Sequence, residues 1–482
     1  MNRIRNLRLG HATNSSSSHS IVMMKPGHKP LPSEWYLSDG PRGWSRRDPK
    51  LEDAAAGSTV FGQNSFILSD ARSKLLYIAT ENKYGYKSWQ DMQADFKPLL
   101  SDDDLRAAWS GYHDNDDGID VQSFPREFLL MDGIMILGTD GDHDMELPDT
   151  IKLDYMRDLR LKKDGAASIW YSPSTGFKAR FSPEPYLKAT SPELVDVKIT
   201  DYCPYGCSFC YQGSTREGAH APLELILQTA DRLAEIGVFE VALGGGEPMM
   251  HPDFPAIIRA FRDRGITPNV TSFGVEWLKR EDVMNVIGLV GGLGVSIQSP
   301  GSVSKIGQSK RALEDVPGGN SVQILPQHAV GTGDLYGIVD EMFEQSLEPS
   351  LLLLGFKNVG RGIDGQSHPQ SDADVISAIE WLISWGEAST GWGDKPAGLS
   401  VDTAFLEQYP NVIEHLDVPE HMTSSPEGMF SMYIDLVART MGPSSYCPKD
   451  AYVPLDLDGI LDVFARWQPG AANPSPTSNV PS

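Results

Sequence analysis

The stretch Leu194-Val-Asp-Val-Lys-Ile-Thr200, followed at once by Asp-Tyr-Cys203-Pro-Tyr-Gly-Cys207-Ser-Phe-Cys210, decides how this chain is interpreted. Its first seven residues form a β-branched, apolar run that predicts a buried strand. Three of the chain's four cysteines then fall within eight residues, in a C-x3-C-x2-C pattern. The sequence therefore predicts a cluster of thiolates on the loop that leaves a buried strand.

Three soft sulfur ligands with no fourth close by suit an iron–sulfur cluster in which one iron stays open to a non-protein ligand. Zinc is the alternative, because His220, ten residues after Cys210, would complete a four-ligand site. The chain has no second pair of cysteines of the kind that closes most structural zinc sites. A disulfide is disfavoured, since no secretory signal opens the chain and closely spaced cysteines in a large soluble protein indicate metal ligands. The pattern favours the iron–sulfur cluster.

These residues resemble the radical S-adenosylmethionine (SAM) enzymes. The resemblance rests on Cys203, Cys207 and Cys210, on the aromatic Phe209, and on the downstream run Gly244-Gly245-Gly246-Glu247-Pro248. It covers roughly residues 192–360 and extends more faintly to about residue 465. It implies that the three cysteines hold a [4Fe-4S] cluster whose fourth iron binds SAM. It also implies that SAM is cleaved to a 5′-deoxyadenosyl radical, which abstracts a hydrogen atom from a substrate.

The resemblance also implies which residues contact SAM. Phe209 would lie near the adenine, and Gly244, Gly245 and Gly246 would let the backbone approach the methionine moiety closely. Glu247 would supply a counter-charge for the SAM ammonium group. Five polar residues occupy strand ends where family members bind the SAM carboxylate and ribose: Asn269, Thr271, Ser272, Ser296 and Gln298. Within them, Thr271-Ser272-Phe273-Gly274 departs from the T-N-G sequence that is usual in the family.

From residue 192 onward the pattern alternates between strand and helix, which indicates βα units around a parallel sheet. The predicted strands are Leu194–Thr200, Glu240–Leu243, Pro268–Thr271, Leu293–Gln298, Val322–Leu325 and Leu351–Leu354, and the predicted helices include Leu223–Ile236, Asp253–Arg264 and Leu335–Gln345. The fold class is thus α/β, and six such units make the partial, TIM-like (β/α)6 barrel that the resemblance implies. Both motifs would lie at the carboxyl ends of its strands, where chemistry concentrates in such barrels.

The chain is predicted to divide into five segments: residues 1–165, 166–191, 192–365, 366–469 and 470–482. The first is an α+β accessory domain, with strands at Phe66–Leu68, Leu75–Ile78 and Ile134–Leu137 and a helix at Leu105–Trp109. The second is a β-hairpin built from Ile169–Tyr171 and Phe177–Phe181, and the third is the barrel. The fourth resembles the SPASM or twitch extensions of peptide-modifying relatives, with Cys447 as its only cysteine and therefore no auxiliary cluster. The last is a Pro- and Ser-rich tail expected to be disordered.

Charge and composition limit which partners and which cellular location are expected for this protein. A net charge of −24 and an isoelectric point near 4.8 argue against a nucleic acid bound through its phosphates. The sequence has no apolar run of the roughly 20 residues that a membrane helix needs. Four cysteines without a leader peptide indicate the cytoplasm. By resemblance, a flavodoxin or a ferredoxin would donate the electron.

The expected function is hydrogen abstraction from a peptide or protein side chain. Two alternatives stay open: the same chemistry on a small molecule such as a nucleotide or amino acid, and a non-catalytic iron–sulfur or zinc protein acting as scaffold or sensor. Lys357 and Arg361 either steer a carboxylate or belong to a solvated loop. Three further residues are expected to line a substrate cavity: Tyr433, Asp435 and Tyr446. Cys447 would relay or quench a radical, donate hydrogen to the substrate, or be a buried thiol.

Overall fold

The computed structural model describes the following residues: 3–9, 19–23, 60–61, 66–68, 88–96, 106, 112–113, 136–138, 160–165, 167–182, 189–364, 368–388, 397–416 and 427–468. Within them the strands, in chain order, are β1 Arg3–Leu9, β2 His19–Met23, β3 Val60–Phe61, β4 Phe66–Leu68, β5 Tyr112–His113, β6 Ile136–Gly138, β7 Arg160–Asp164, β8 Ala167–Tyr171, β9 Phe177–Ser182, β10 Leu194–Thr200, β11 Glu240–Gly245, β12 Thr267–Ser272, β13 Gly292–Ser296, β14 Gln323–Ala329, β15 Ser350–Leu354, β16 Ala397–Val401, β17 Ser431–Asp435, β18 Thr440–Gly442 and β19 Val453–Pro454.

The helices of the same residues are α1 Trp89–Phe96, α2 Leu223–Glu235, α3 Phe254–Asp263, α4 Glu281–Met284, α5 Ser304–Glu314, α6 Leu335–Glu344, α7 Asp372–Ala388, α8 Thr403–Gln408, α9 Pro410–His415 and α10 Ile460–Arg466. Among them α2 shows why the helices form: Ile226, Ala230 and Leu233 recur on one face and are buried. None of the described helices is both long and apolar enough to cross a membrane.

The chain divides into two compact units, one made of residues 27–152 and the other of residues 1–26 together with 153–482. In the first unit β3 pairs with β5 and β4 pairs with β6. The strand predicted at Phe66–Leu68 is confirmed, and the strand predicted at Ile134–Leu137 is found at Ile136–Gly138. The strand predicted at Leu75–Ile78, the helix at Leu105–Trp109 apart from Arg106, and the tail from residue 470 onward lie outside the described residues.

A four-stranded antiparallel sheet of the second unit runs in the order β1-β9-β8-β7. It contains the predicted hairpin as β8 and β9. Arg180 of β9 forms a buried ion pair with Glu193, which immediately precedes β10, and Lys178 lies 2.8 Å from the same carboxylate. The hairpin is therefore anchored to the start of the cysteine-bearing strand by charge as well as by packing.

The main sheet has eleven strands in the order β19-β18-β17-β10-β11-β12-β13-β14-β15-β16-β2. Its six central strands, β10 to β15, are parallel and follow chain order, as predicted for the partial barrel. Two further strands extend the parallel region, because β17 pairs with β10 and β16 pairs with β15. Strands β2, β16 and β17, from residues 19–23, 397–401 and 431–435, belong to this same sheet.

Strand β10 is buried on both faces. One face joins the apolar core shared with the helices through Val195, Val197 and Ile199. The other face carries Asp196 and Lys198, which are also buried, and β17 sets Tyr433 and Asp435 beside them in register. Barrel interiors are usually filled by branched apolar side chains. This wall is charged and polar instead, which suits a site for chemistry.

Candidate functional site

The cysteine loop, residues 201–215, leaves β10 and returns to it. Thr215 donates its N–H to the Asp201 carbonyl at 3.1 Å, and Cys203 donates to the Thr215 carbonyl at 2.8 Å. Inside the loop the Cys210 N–H lies 3.3 Å from the Cys207 carbonyl. All three thiols are half-buried. The end of a buried strand thus holds the three predicted ligands on one closed loop.

The three thiols also share one electrostatic environment. Burial, followed by the neighbouring Cys210 and Cys203, raises the pKa of Cys207 to about 11. Burial likewise raises the pKa of Cys203. Within the residues that the structure describes, no group of three or more His, Cys, Asp or Glu side chains is already arranged to hold a metal ion. The donor set is nevertheless the soft one that iron–sulfur clusters use, and bound iron would remove the repulsion between thiolates.

The zinc alternative required His220. Its Nδ1 lies 2.8 Å from the Thr200 hydroxyl, and its ring packs edge-on against His251 with centroids 5.0 Å apart. These contacts hold His220 against the end of β10.

The glycine run ends β11 and lies directly against the cysteine loop. Gly246 donates its N–H to the Thr200 carbonyl at 2.7 Å, and Glu247 donates to the Tyr202 carbonyl at 2.8 Å. A Cβ on Gly246 would collide with the Tyr202 carbonyl, and one on Gly245, whose φ is 116°, would collide with that of Thr200. At Gly244 the nearest atom would be 3.6 Å away. Close approach to the cysteine loop explains Gly245 and Gly246, while a Cβ at Gly244 would make only an ordinary contact with the Asp196 side chain.

Glu247 is the buried acid of the site, with 1% of its surface exposed. Its Oε2 accepts the N–H of Phe273 at 3.1 Å, whereas no donor in the described part of the chain reaches Oε1. Burial raises its pKa to about 7. A buried carboxylate oxygen without a partner is what a bound ammonium group would satisfy, so this residue fits the SAM ligand that the sequence implied.

The polar residues at the strand ends fall into three situations. Ser272 donates to the Gly274 carbonyl at 3.0 Å and thus forms a turn. Ser296 accepts a hydrogen bond from Gln327 at 3.1 Å. Gln298 keeps a buried Oε1 without a donor among the described residues, and Thr271 is half-buried at the end of β12. Of this group, Gln298 has a buried acceptor that a ligand could use.

Asn269 is placed differently, because its side-chain amide is engaged within the sheet. Its side-chain amide donates to Glu240 at 3.1 Å and accepts the N–H of Gly292 at 2.8 Å. Glu240 and Gly292 begin the two neighbouring strands, and Asn269 itself is fully buried. Both ends of the amide are therefore used inside the sheet, on the side away from the cysteine loop.

Two residues that the sequence did not single out join the site. Lys305 of α5 donates to the Phe273 carbonyl at 2.6 Å and lies 4.3 Å from the centre of that ring. Burial lowers its pKa, and the opposing charges that raise it include Cys207 and Glu247. Tyr205, between the first two cysteines, donates to Glu276. No local sequence motif marks Lys305, because only the fold brings α5 close to the cysteines. The predicted adenine contact, Phe209, is half-buried within the cysteine loop.

Lys357 and Arg361 both contact other parts of the fold. Lys357 is buried, with its Nζ 4.6 Å from the centre of the Tyr211 ring, 4.9 Å from that of Tyr446 and 3.9 Å from the Asp402 carboxylate. Arg361 donates from Nε to the Cys207 carbonyl at 3.0 Å. The loop after β15 therefore packs on the cysteine loop.

The residues proposed to line a cavity also gather there. Lys198 lies 2.5 Å from Asp201 and 3.2 Å from Asp435, and thus joins β10, β17 and the cysteine loop. The Tyr433 hydroxyl lies 3.4 Å from the Gln212 side chain. Cys447 is half-buried, with its Sγ 3.2 Å from the Ser444 carbonyl. The β17–β18 hairpin therefore adjoins the candidate site.

Part of the chain that carries this site is similar to known proteins. Residues 197–316 match the model of the Radical SAM superfamily. The PqqA peptide cyclase of Ruegeria pomeroyi is 27% identical over 120 residues, which are 24% of this chain and 31% of that protein. The mycofactocin maturase MftC of Mycobacterium ulcerans is 24% identical over 216 residues, or 41% of this chain and 56% of that protein. The GTP 3′,8-cyclase of Psychromonas ingrahamii is 36% identical over 72 residues, or 14% of this chain and 21% of that protein.

Similar solved structures include Streptococcus suis SuiB bound to SAM, with a TM-score of 0.44 and 14% identity over 58% of this chain and 66% of that one. They also include anSMEcpe with bound SAM, with a TM-score of 0.42 and 12% identity over 57% of this chain and 80% of that one. The chain spans between 21% and 56% of the length of the three curated relatives named above.

Proposed function

We propose that this protein is an enzyme that binds a [4Fe-4S] cluster and SAM and abstracts a hydrogen atom from a substrate. The match of residues 197–316 to the Radical SAM superfamily model supports this proposal. The superfamily uses both cofactors. The observation that carries the proposal is one closed loop with three thiols, docked against a glycine turn that ends in the half-satisfied carboxylate of Glu247. Cys203, Cys207 and Cys210 would hold the cluster. When bound, it supplies the electron that cleaves SAM to methionine and a 5′-deoxyadenosyl radical.

The protein's own groups would bind and orient SAM. The unpartnered Oε1 of Glu247 would accept from the SAM ammonium group, and ligand binding would favour its ionised form. Lys305 would add positive charge on the same side of the loop, near Cys207. Gly244 would leave room for the methionine moiety. Thr271, Ser272, Ser296, Gln298 and Phe209 stay predicted contacts of the carboxylate, ribose and adenine.

A peptide or protein side chain is the substrate class we favour. Two relatives carry names that refer to peptide cyclisation and to a maturase. The wall formed by β10 and β17 would hold the substrate beside the cysteine loop, with Tyr433 and Asp435 on it and Tyr446 nearby. An electron donor of the flavodoxin or ferredoxin type and a cytoplasmic location are parts of the same proposal.

A small-molecule substrate is the second candidate. It is favoured by the match to a GTP 3′,8-cyclase, which covers only 72 residues. A non-catalytic scaffold is the third candidate, and it is the least favoured because a purely structural metal site has no use for a buried carboxylate oxygen without a partner.

Anaerobic turnover tests the proposal. Reconstituted protein given dithionite and SAM should form 5′-deoxyadenosine, and a deuterated substrate should transfer deuterium into it. Cys207→Ala should lose both iron and SAM cleavage, whereas the control Cys447→Ala should keep its iron. SAM cleavage by Cys207→Ala would refute the ligand assignment, and a wild-type cluster without 5′-deoxyadenosine would favour the scaffold.

A further inference from the structure

The three-residue segment Gly360-Arg361-Gly362 lies across the cysteine loop. Arg361 donates its backbone N–H to the Cys210 carbonyl at 3.0 Å. Gly360 has a φ of 60°, and a Cβ there would collide with the Tyr211 carbonyl. Glycine is thus required for the segment to come this close. The contact joins the end of β15 to a loop that follows β10, about 150 residues earlier in the chain.

The Arg361 side chain adds two more hydrogen bonds to the same loop. Nε donates to the Cys207 carbonyl at 3.0 Å, and Nη1 donates to the Ser214 carbonyl at 2.8 Å. Together with its backbone, this one residue holds the loop at Cys207, Cys210 and Ser214. The fixed fork of the guanidinium suits two carbonyls at different points, which a single ammonium group could not match equally.

Two of the loop's own hydrogen bonds, at the second and third cysteines, are longer than those that Arg361 makes. The Cys210 N–H to Cys207 carbonyl distance is 3.3 Å, and the Gly213 N–H to Cys210 carbonyl distance is 3.1 Å. Both acceptor carbonyls are the ones that Arg361 also binds, and a carbonyl oxygen has two lone pairs to share. The two turns that carry the second and third cysteines therefore depend on a donor from outside the loop.

We infer that Arg361 is a positioning residue for the cysteine loop. It holds the turns of Cys207 and Cys210 in place so that all three thiols can bind the same iron–sulfur cluster. Fixing the Cys207 and Cys210 carbonyls limits how far the two turns can separate before iron binds. The guanidinium also brings a permanent positive charge to a loop whose thiols ionise when they bind metal. The inference rests on the proposed function only in taking the cysteines as iron ligands.

Two substitutions separate the effect of the guanidinium geometry of Arg361 from the effect of its positive charge. Arg361→Gln removes both, whereas Arg361→Lys keeps the charge and loses the two-carbonyl geometry. The matched control is Arg264→Gln, since Arg264 also makes a side-chain hydrogen bond, to Asp231 at 2.6 Å, but lies on the surface after α3. Thermal unfolding of each variant shows whether the fold is retained.

The first measurement is hydrogen–deuterium exchange of the iron-free protein. Amides of residues 207–215 should exchange on the order of tenfold faster in Arg361→Gln than in the wild type, because charged hydrogen bonds are lost. Amides of β12 should be unchanged, and Arg264→Gln should match the wild type throughout. Wild-type exchange in a folded Arg361→Gln would overturn the inference. If Arg361→Gln does not fold, Arg361→Lys decides by the same comparison.

The second measurement is iron per chain after anaerobic reconstitution. It should fall to less than about half in Arg361→Gln, with Arg361→Lys between this variant and the wild type. Full iron retention in both variants would contradict the inference. SAM cleavage is not needed for either measurement, so a wild-type protein that binds iron without cleaving SAM would refute the proposed function and leave the role of Arg361 to be decided separately.

Discussion

Glu247 gives the folded protein a pH dependence of its own. Its pKa is raised from 4.5 to about 7 by burial, so the folded state holds a proton that the unfolded state releases. The stability that this proton contributes is complete below pH 4.5 and is lost as the pH rises through about 7. The loss is roughly 3 kcal/mol.

Glu247→Gln should remove this dependence. In urea unfolding of the metal-free protein, the variant should gain stability over the wild type as the pH is raised from 5 to 8. SAM binding should weaken, because an amide cannot supply the counter-charge. Parallel pH profiles of the two proteins would contradict the buried, protonated carboxyl.

Asn269 provides the complementary prediction. Asn269→Ala leaves Glu240 and the Gly292 N–H without their partner inside the sheet. The expected cost is about 1–3 kcal/mol of unfolding free energy, with SAM affinity unchanged in the folded protein. Calorimetric binding of SAM alongside urea unfolding checks both. Weaker SAM binding at unchanged stability would restore the role that the sequence suggested.

At the level of single residues, the sequence predicted those that form local motifs. The cysteine motif and the glycine run can be recognised from the sequence because the residues within each motif lie only a few positions apart. Lys305 and the structural role of Arg361 were out of reach, since their partners are distant in the chain and only the barrel brings them together. The partners of Asn269 inside the sheet were also out of reach, because a residue's position along a strand does not reveal which neighbours its side chain meets.

At the level of elements, the glycine turn allows a matched pair of substitutions. Gly246→Ala places a Cβ against the Tyr202 carbonyl, whereas Gly244→Ala meets its nearest atom at 3.6 Å. Gly246→Ala should therefore lose about 2 kcal/mol or more of unfolding free energy and change the cysteine loop. Gly244→Ala should stay within about 0.5 kcal/mol of the wild type. Equal stabilities in urea unfolding would show that the two elements do not meet here.

The strands themselves were predicted well where they are short, apolar and bounded by turns. Leu194–Thr200 was predicted to the residue, and the other five central strands lie within a few residues of their predicted bounds. The helix predicted at Leu223–Ile236 ends one residue earlier. What the pattern could not show is that β16 and β17 pair with β15 and β10. Parallel pairing joins segments far apart in sequence, and no local signal specifies the neighbour.

At the level of the whole molecule, a strand late in the chain, β17, supports the first strand of the barrel. A chain ending at Leu416 keeps all three cysteines but loses β17, which leaves one edge of β10 without its partner. We expect it to lose cooperative thermal unfolding and iron binding. The control ends at Gln468 and keeps every described element. Circular dichroism melting and iron analysis check this, and a shorter chain that melts cooperatively with full iron would contradict it.

The placement of β10 between β11 and β17 has a consequence for biosynthesis. As the chain leaves the ribosome, β11 can join β10 early, but the other neighbour does not exist until residue 431 has been translated. An unpaired edge on a buried, valine-rich strand invites misassembly for that whole interval. Metal insertion should accordingly be a late event, and nascent chains should depend on chaperones up to that point.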